Sequence, residues 1–102
     1  AVDGRGVAYR RSGRGNHVEF AAPGVDLVAA ASGGRMRRVT GTSFAAPLVT
    51  GLLLQQMATT PGAAAARAAL AADVLDLGRP GADPVYGLGV PGRSLLLRPL
   101  AP

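Results

Sequence analysis

Residues 41–51 read GTSFAAPLVTG. Two hydroxyls, Thr42 and Ser43, stand at the mouth of an apolar run, with Pro47 a short way inside it. From Ser43 to about residue 58, the side chains Phe44, Leu48, Val49, Leu52, Leu53, Leu54 and Met57 point to more than one face of a 3.6-residue period, which predicts a buried helix. Gly51 in the middle of that helix costs roughly 1 kcal/mol of helix propensity, and the cost makes sense if another element passes close by. Pro47 supplies no N–H for the Ser43 carbonyl and crowds it, so the first turn should be rigid and irregular. Two readings of the hydroxyls stay open here. Thr42 or Ser43 caps a core helix, or Ser43 is a nucleophile whose own amide, at the positive end of the helix dipole, helps to receive an oxyanion. The G-x-S-x-G elbow of α/β-hydrolases does not fit, because Ala45 replaces its second glycine.

Upstream, the segment 17–24, HVEFAAPG, alternates Val18 and Phe20 with His17 and Glu19, which predicts a half-buried strand ending in a Pro23-Gly24 turn. Before it, Ala1 and Val2 read as the tail of a strand, and residues 4–16 read as a glycine-spaced loop or hairpin around residues 7–9. After it, residues 25–31 (VDLVAAA) are extended, residues 32–34 turn, and residues 35–39 (RMRRV) alternate basic with apolar. Downstream, Thr60 is expected to cap a second helix with Pro61 in its first turn, running to about residue 72. Residues 73–89 read as a structured loop, and RSLLLR from Arg93 as a last short helix before Pro99. The order of strands, then a buried helix, then an outer helix suits one part of a larger helix-covered sheet.

Composition narrows the function. The chain has 102 residues, 48% of them apolar, enough for one modest packed domain. It has no cysteine and one histidine, which removes disulfides and leaves little for a zinc site. The longest nearly apolar run, residues 44–54, is eleven residues and too short to span a membrane. Net charge is +5, with seven arginines against three acidic residues in residues 1–38. The stretch 5–15, RGVAYRRSGRG, has the look of an Arg/Gly-rich RNA-binding segment, but Tyr9 is its only aromatic and no stacking array follows. Solvated loop is the preferred reading, and no nucleic-acid partner is expected.

GTSFAAPLVTG resembles the serine motif of the subtilisin-like proteases, G-T-S-x-[SA]-x-P-x-x-x-[GA], matching at Gly41, Thr42, Ser43, Ala45 and Pro47. AVD at residues 1–3, VEFAAPGVDL at 18–27 and DPVYGLGV at 83–90 resemble that family's final third in the same order. The resemblance implies an α/β fold: the C-terminal part of a three-layer architecture with a mostly parallel sheet and a buried helix after the catalytic serine. Residues 1–102 would then be an incomplete portion of a peptidase domain. Ser43 would be the acyl-forming nucleophile and its amide one oxyanion donor, supported by Thr42. Gly41 and Phe44 would line the substrate cleft, and the segment from Arg37 to Thr40 would border it, its charge biasing which leaving-side residues are accepted. Polypeptide is the implied substrate, export to the cell envelope or medium the implied destination, and no organic cofactor is implied. Structural calcium, frequent in the family, would be bound elsewhere in a full-length protein, since no acidic cluster argues for it here.

The remaining catalytic groups have no match. In subtilisin the triad order is aspartate, histidine, serine, with both partners far ahead of the serine. His17 lacks the following Gly-Thr of the family's catalytic histidine and takes a surface role in this reading. No aspartate stands in the Asp-x-Gly setting, and Asn16 does not match the family's oxyanion asparagine. The chain opens without methionine and as if in mid-strand, so we expect a piece of a longer enzyme, inert alone, whose missing N-terminal part is a partner in the same catalytic domain. A non-catalytic remnant or interaction module, and less favourably an arginine-rich nucleic-acid binder, remain the alternatives.

Overall fold

The computed structural model describes residues 1–92, a mixture of helices and short strands; the expected helix at Arg93 lies outside them. In chain order the elements are β1 (Leu27–Ala31), a single 3-10 turn (Ser32–Gly34), β2 (Arg35–Val39), α1 (Thr42–Met57), α2 (Ala63–Ala72), β3 (Val74–Leu75) and β4 (Val90–Pro91).

The N-terminal residues form a hairpin whose turn is built by one side chain. Asp3 Oδ1 accepts the amides of Arg5 at 2.8 Å and Val7 at 3.0 Å, while the Asp3 carbonyl accepts Gly6 N–H at 3.0 Å. Asx side chains stabilise turns in this way because they take up donors that the bent backbone cannot pair. The hairpin closes through an antiparallel bridge between Val2 and Ala8. The amide of Val7 first, and that of Arg5 next, hold the Asp3 carboxyl below the usual carboxylate range. A depressed folded pKa gives a contribution fully present above the unfolded value of about 3.9 and lost as the pH falls through the folded one. Asp3→Asn should therefore lower the urea midpoint at pH 7, and its deficit against wild type should shrink steadily in titrations carried below that range.

Val2 is also the meeting point with the middle of the chain. It bridges Pro23 in the parallel sense, its amide donates to the Ala22 carbonyl at 2.9 Å, and its carbonyl accepts Gly24 N–H at 3.0 Å. A small apolar core gathers here: Val2, Ala21 and Val90 are buried, with Leu75, Leu77 and Tyr86 packed against them.

β1 and β2 are the extended segments expected on either side of the turn at residues 32–34, and they pair antiparallel with Leu27 opposite Val39 and Ala31 opposite Arg35. Four expectations need correction. Residues 17–20 form no strand. The Glu19 carbonyl accepts Leu88 N–H at 2.8 Å and Ala21 N–H reaches the Gly89 carbonyl at 3.0 Å, but Val18 N–H turns back to the Gly15 carbonyl at 3.2 Å and Gly87, just before Leu88, has φ +60°, so no regular ladder forms. Thr60 does not cap the second helix. Its amide is spent on the Gln56 carbonyl at 2.8 Å, closing α1, and Gly62, with φ +86°, starts α2 instead. The loop at residues 73–89 holds strand β3, paired antiparallel with β4 so that Val74 faces Pro91. Finally, both sheets are two-stranded and antiparallel, and the Val2–Pro23 bridge supplies the parallel pairing among the described residues in place of a mostly parallel sheet.

The loop before β4 is organised by Asp83. Its Oδ1 accepts the amides of Val85 and Tyr86, each at 2.8 Å, and its backbone exchanges two hydrogen bonds with Gly87. The Tyr86 hydroxyl then accepts Ala8 N–H at 3.3 Å, tying this loop to the N-terminal hairpin. On the opposite side Arg67 of α2 donates to Glu19 at 2.8 Å and lies 5.9 Å from the Phe20 ring centroid. Both partners of that ion pair are about half exposed, so it adds no more than about 1 kcal/mol.

Candidate functional site

α1 begins one residue earlier than its apolar pattern, at Thr42, and its N-cap is Gly41, with φ 153° and no side-chain capping bond. The capping reading of Thr42 and Ser43 therefore fails: both lie inside the first helical turn with exposed side chains, and neither hydroxyl closes the helix end. The Phe44 amide, one residue on, is taken by the Gly41 carbonyl at 3.1 Å. Among the described residues the Ser43 N–H has no backbone acceptor, as expected for the first turn of any α-helix. An exposed hydroxyl and a free amide thus share one residue at the positive end of a 16-residue helix.

The helix mouth is anchored from below by the turn at Pro23-Gly24. Gly41 N–H donates to the Gly24 carbonyl at 2.8 Å, and the Thr40 hydroxyl accepts Asp26 N–H at 2.9 Å. Among the described residues Asp26 is the one non-glycine residue with positive φ, 55°, and the Thr40 bond sits beside that strained position. Any side chain at Gly24 would force this junction to shift. A Cβ there would lie 2.6 Å from Ala1 Cβ, 2.8 Å from the Gly41 carbonyl oxygen and 3.1 Å from Ala45 Cβ. The sequence announced a turn at Gly24 but not its contact with the helix mouth; a Pro-Gly pair ahead of a Gly-Thr-Ser start was the available signal.

Phe44 is half-buried and its ring edge lies over Gly41, so these two expected cleft residues do adjoin. Pro47 sits within α1, where it removes the N–H that would bond the Ser43 carbonyl. Further along, the Thr50 hydroxyl bonds back to the Ala46 carbonyl at 3.1 Å. His17 lies exposed in the loop after the N-terminal hairpin, as a surface role requires, and it lines a hollow together with Ser12, Glu19 and Thr42. Ser43 does not line that hollow.

The expected burial of α1 does not hold. Ala45 is its buried residue, while Leu48, Leu54 and Met57 are 43%, 61% and 42% exposed, and a Cβ at Gly51 would meet no described atom within 4 Å. One apolar groove runs along the helix between Pro47, Leu48, Gly51 and Leu52 on one side and Ala22, Pro23, Pro91 and Gly92 on the other. A helix apolar on several faces needs cover on several faces, and α2 and the Pro23 turn supply it on some only.

With this geometry in place, a profile of the peptidase S8 or subtilase family matches residues 1–89, which is most of the chain. The chain belongs to the subtilase family. Subtilases are serine peptidases acting on polypeptides, so the general class of chemistry and of substrate follows from membership. The matched span includes all of β1, β2, α1, α2 and β3, and with them Gly41, Thr42, Ser43 and Phe44. No curated protein shows significant similarity to this subtilase chain. Among its described residues no three His, Cys, Asp or Glu side chains come together as a metal cage. No helix among them is long and apolar enough to cross a membrane.

Proposed function

We propose that this chain is the C-terminal portion of a subtilisin-like catalytic domain and that Ser43 is the nucleophile of a serine endopeptidase. The carrying observation is the pairing of an exposed, non-capping Ser43 hydroxyl with its own unpaired amide at the start of α1. In the reaction Ser43 Oγ adds to the scissile carbonyl carbon while a base takes its proton. The Ser43 N–H then holds the oxyanion, the amine leaves with a proton, and water hydrolyses the acyl-enzyme. Thr42, next to it on the first turn, assists at the oxyanion side, and Gly41 and Phe44 shape the leaving side of the cleft. Phe44 puts a ring where a methionine would be open to oxidation.

The base is not supplied by these residues in this reading. Losing one oxyanion donor costs about 10²–10³ in rate, and losing the base costs about 10⁶ in subtilisin. The chain alone is accordingly inert, and the aspartate, histidine and second oxyanion donor come from an N-terminal part of the same domain. Support comes from the uncovered apolar sides of α1 and from the parallel Val2–Pro23 bridge, which suits the edge of a parallel sheet in a three-layer fold. Secretion or attachment at the cell envelope follows from the family's habit.

A fluorophosphonate probe tests the assignment. It should label the full-length protein at Ser43 and leave Ser43→Ala unlabelled; an intact, folded protein that takes no label would be a non-catalytic remnant instead.

A further inference from the structure

β2 carries three arginines, Arg35, Arg37 and Arg38, and all three are exposed. Their charge is not balanced within the hairpin. The register sets Arg35 opposite Ala31, Arg37 opposite Ala29 and Arg38 opposite Val28, so no cross-strand acid faces any of them. Elsewhere among the described residues, ion pairs join Arg5 to Asp3 and Arg67 to Glu19, and neither reaches the hairpin.

The same strand has an open edge. Its sheet contains β1 and β2 alone, so the outer side of β2 presents unpaired N–H and C=O groups among the described residues. An extended peptide satisfies such an edge by adding a strand, with its side chains alternating between the two faces. One face of the hairpin offers Arg35 and Arg37; the other offers Arg38 beside Val28 and Met36, which are 62% and 64% exposed. Basic groups on both faces, with apolar surface on one, fit an acidic peptide carrying aliphatic residues. Residues 27–39 contain no aromatic ring, so base stacking, which single-stranded nucleic acid needs, has no platform here.

β2 also leads straight to the helix mouth. Only Thr40, Gly41 and Thr42 separate Val39 from Ser43, a reach of at most about 14 Å, and the Asp26–Thr40 and Gly24–Gly41 bonds hold that connection in place. We propose that the outer edge of β2 docks an extended acidic stretch of polypeptide, with its carboxylates against Arg35, Arg37 and Arg38. That this stretch belongs to the substrate, on the leaving side of the cut bond, rests on the reading of Ser43 as nucleophile; the docking itself does not.

The test uses the full-length protein carrying Ser43→Ala, so that nothing is cut, and fluorescence anisotropy with a labelled peptide repeating Glu-Glu-Val, which puts carboxylates on both faces of an added strand. A second peptide has Gln in place of every Glu. The Glu peptide should bind about tenfold more tightly, from three exposed charge pairs, and the preference should fade as salt rises. Combined Arg35→Glu, Arg37→Glu and Arg38→Glu should abolish it, the three Arg→Lys changes should keep most of it, and the three Arg→Gln changes decide the matter if charge reversal lowers the melting temperature. Equal binding of the two peptides, or a preference that survives loss of the arginines, overturns the proposal. Tighter arginine-dependent binding of single-stranded oligothymidine than of the Glu peptide also overturns it. Fluorophosphonate labelling of the protein with Ser43 intact separates the two readings. Label without the peptide preference removes the docking strand alone, and the preference without label removes the nucleophile alone.

Discussion

Ser43→Ala is expected to lower kcat of the full-length enzyme by about 10⁶-fold, the magnitude that loss of the serine has in subtilisin. KM should move little, because the hydroxyl forms its bond to substrate only on the way to the transition state. Stability should also stay within about 0.5 kcal/mol of wild type, as for other exposed positions outside special features. That second expectation separates the two roles a hydroxyl plays at a helix start. A capping serine loses about 1 kcal/mol on replacement by alanine, whereas Ser43 is exposed within the first turn and Gly41 occupies the cap without a side-chain bond. Steady-state kinetics and a urea titration on the same variant measure both. A fall in stability with activity retained would return Ser43 to a structural role.

Gly24→Ala should harm both stability and activity. Gly24 has no positive φ, so alanine there meets no backbone strain; the penalty is purely one of space. Its Cβ would lie 2.6 Å from Ala1 Cβ, 2.8 Å from the Gly41 carbonyl oxygen and 3.1 Å from Ala45 Cβ. Two of these three neighbours are backbone-bound groups of the helix mouth, and none is the end of a flexible side chain that could swing away. Overpacking of this kind costs about 1–3 kcal/mol. The relief available is a shift of Gly41 and the first turn of α1, which carries Ser43 with it. A misplacement of about 1 Å at a reacting group costs on the order of 10²-fold in rate. We therefore expect a lower urea midpoint and a kcat/KM reduced by about two orders of magnitude, with Gly24→Ser no better. A Gly24→Ala enzyme of normal activity would show that the junction yields without moving the serine.

Local signals in the sequence were readable where the residues that decide a conformation are near one another. The helix from residue 42 onward showed in its apolar density, and the β1–β2 hairpin in two extended runs around Ser32-Gly33-Gly34. The glycine spacing of residues 4–16 announced a loop or hairpin around residues 7–9, but the turn falls earlier, at residues 4–6, where the Asp3 carboxylate builds it. Reading failed where a distant partner took over. Residues 17–20 alternate like a strand, but the Glu19 carbonyl is claimed by Leu88 N–H, beside Gly87, where a Cβ would collide with the Glu19 backbone. Thr60-Pro61 also looks like a helix start, but there the competitor is local: the Thr60 amide is consumed by the Gln56 carbonyl, four residues back, at the end of α1. β3 and β4 are two residues each, too short for any periodicity to register.

The candidate site divides in the same way. Sequence by itself determined the family, through the GTSFAAPLVTG motif and the flanking segments, and it determined that Thr42 and Ser43 stand at a helix N-terminus, because proline, glycine and apolar spacing act within a few residues. Tertiary structure decided which residue caps that helix, and that Gly24 leaves no room beneath the helix mouth. It also decided that the β2 arginines face no acid and that the long sides of α1 remain open. These properties belong to pairs of groups far apart in the chain, whose distances depend on how whole elements pack and on nothing that neighbouring residues encode.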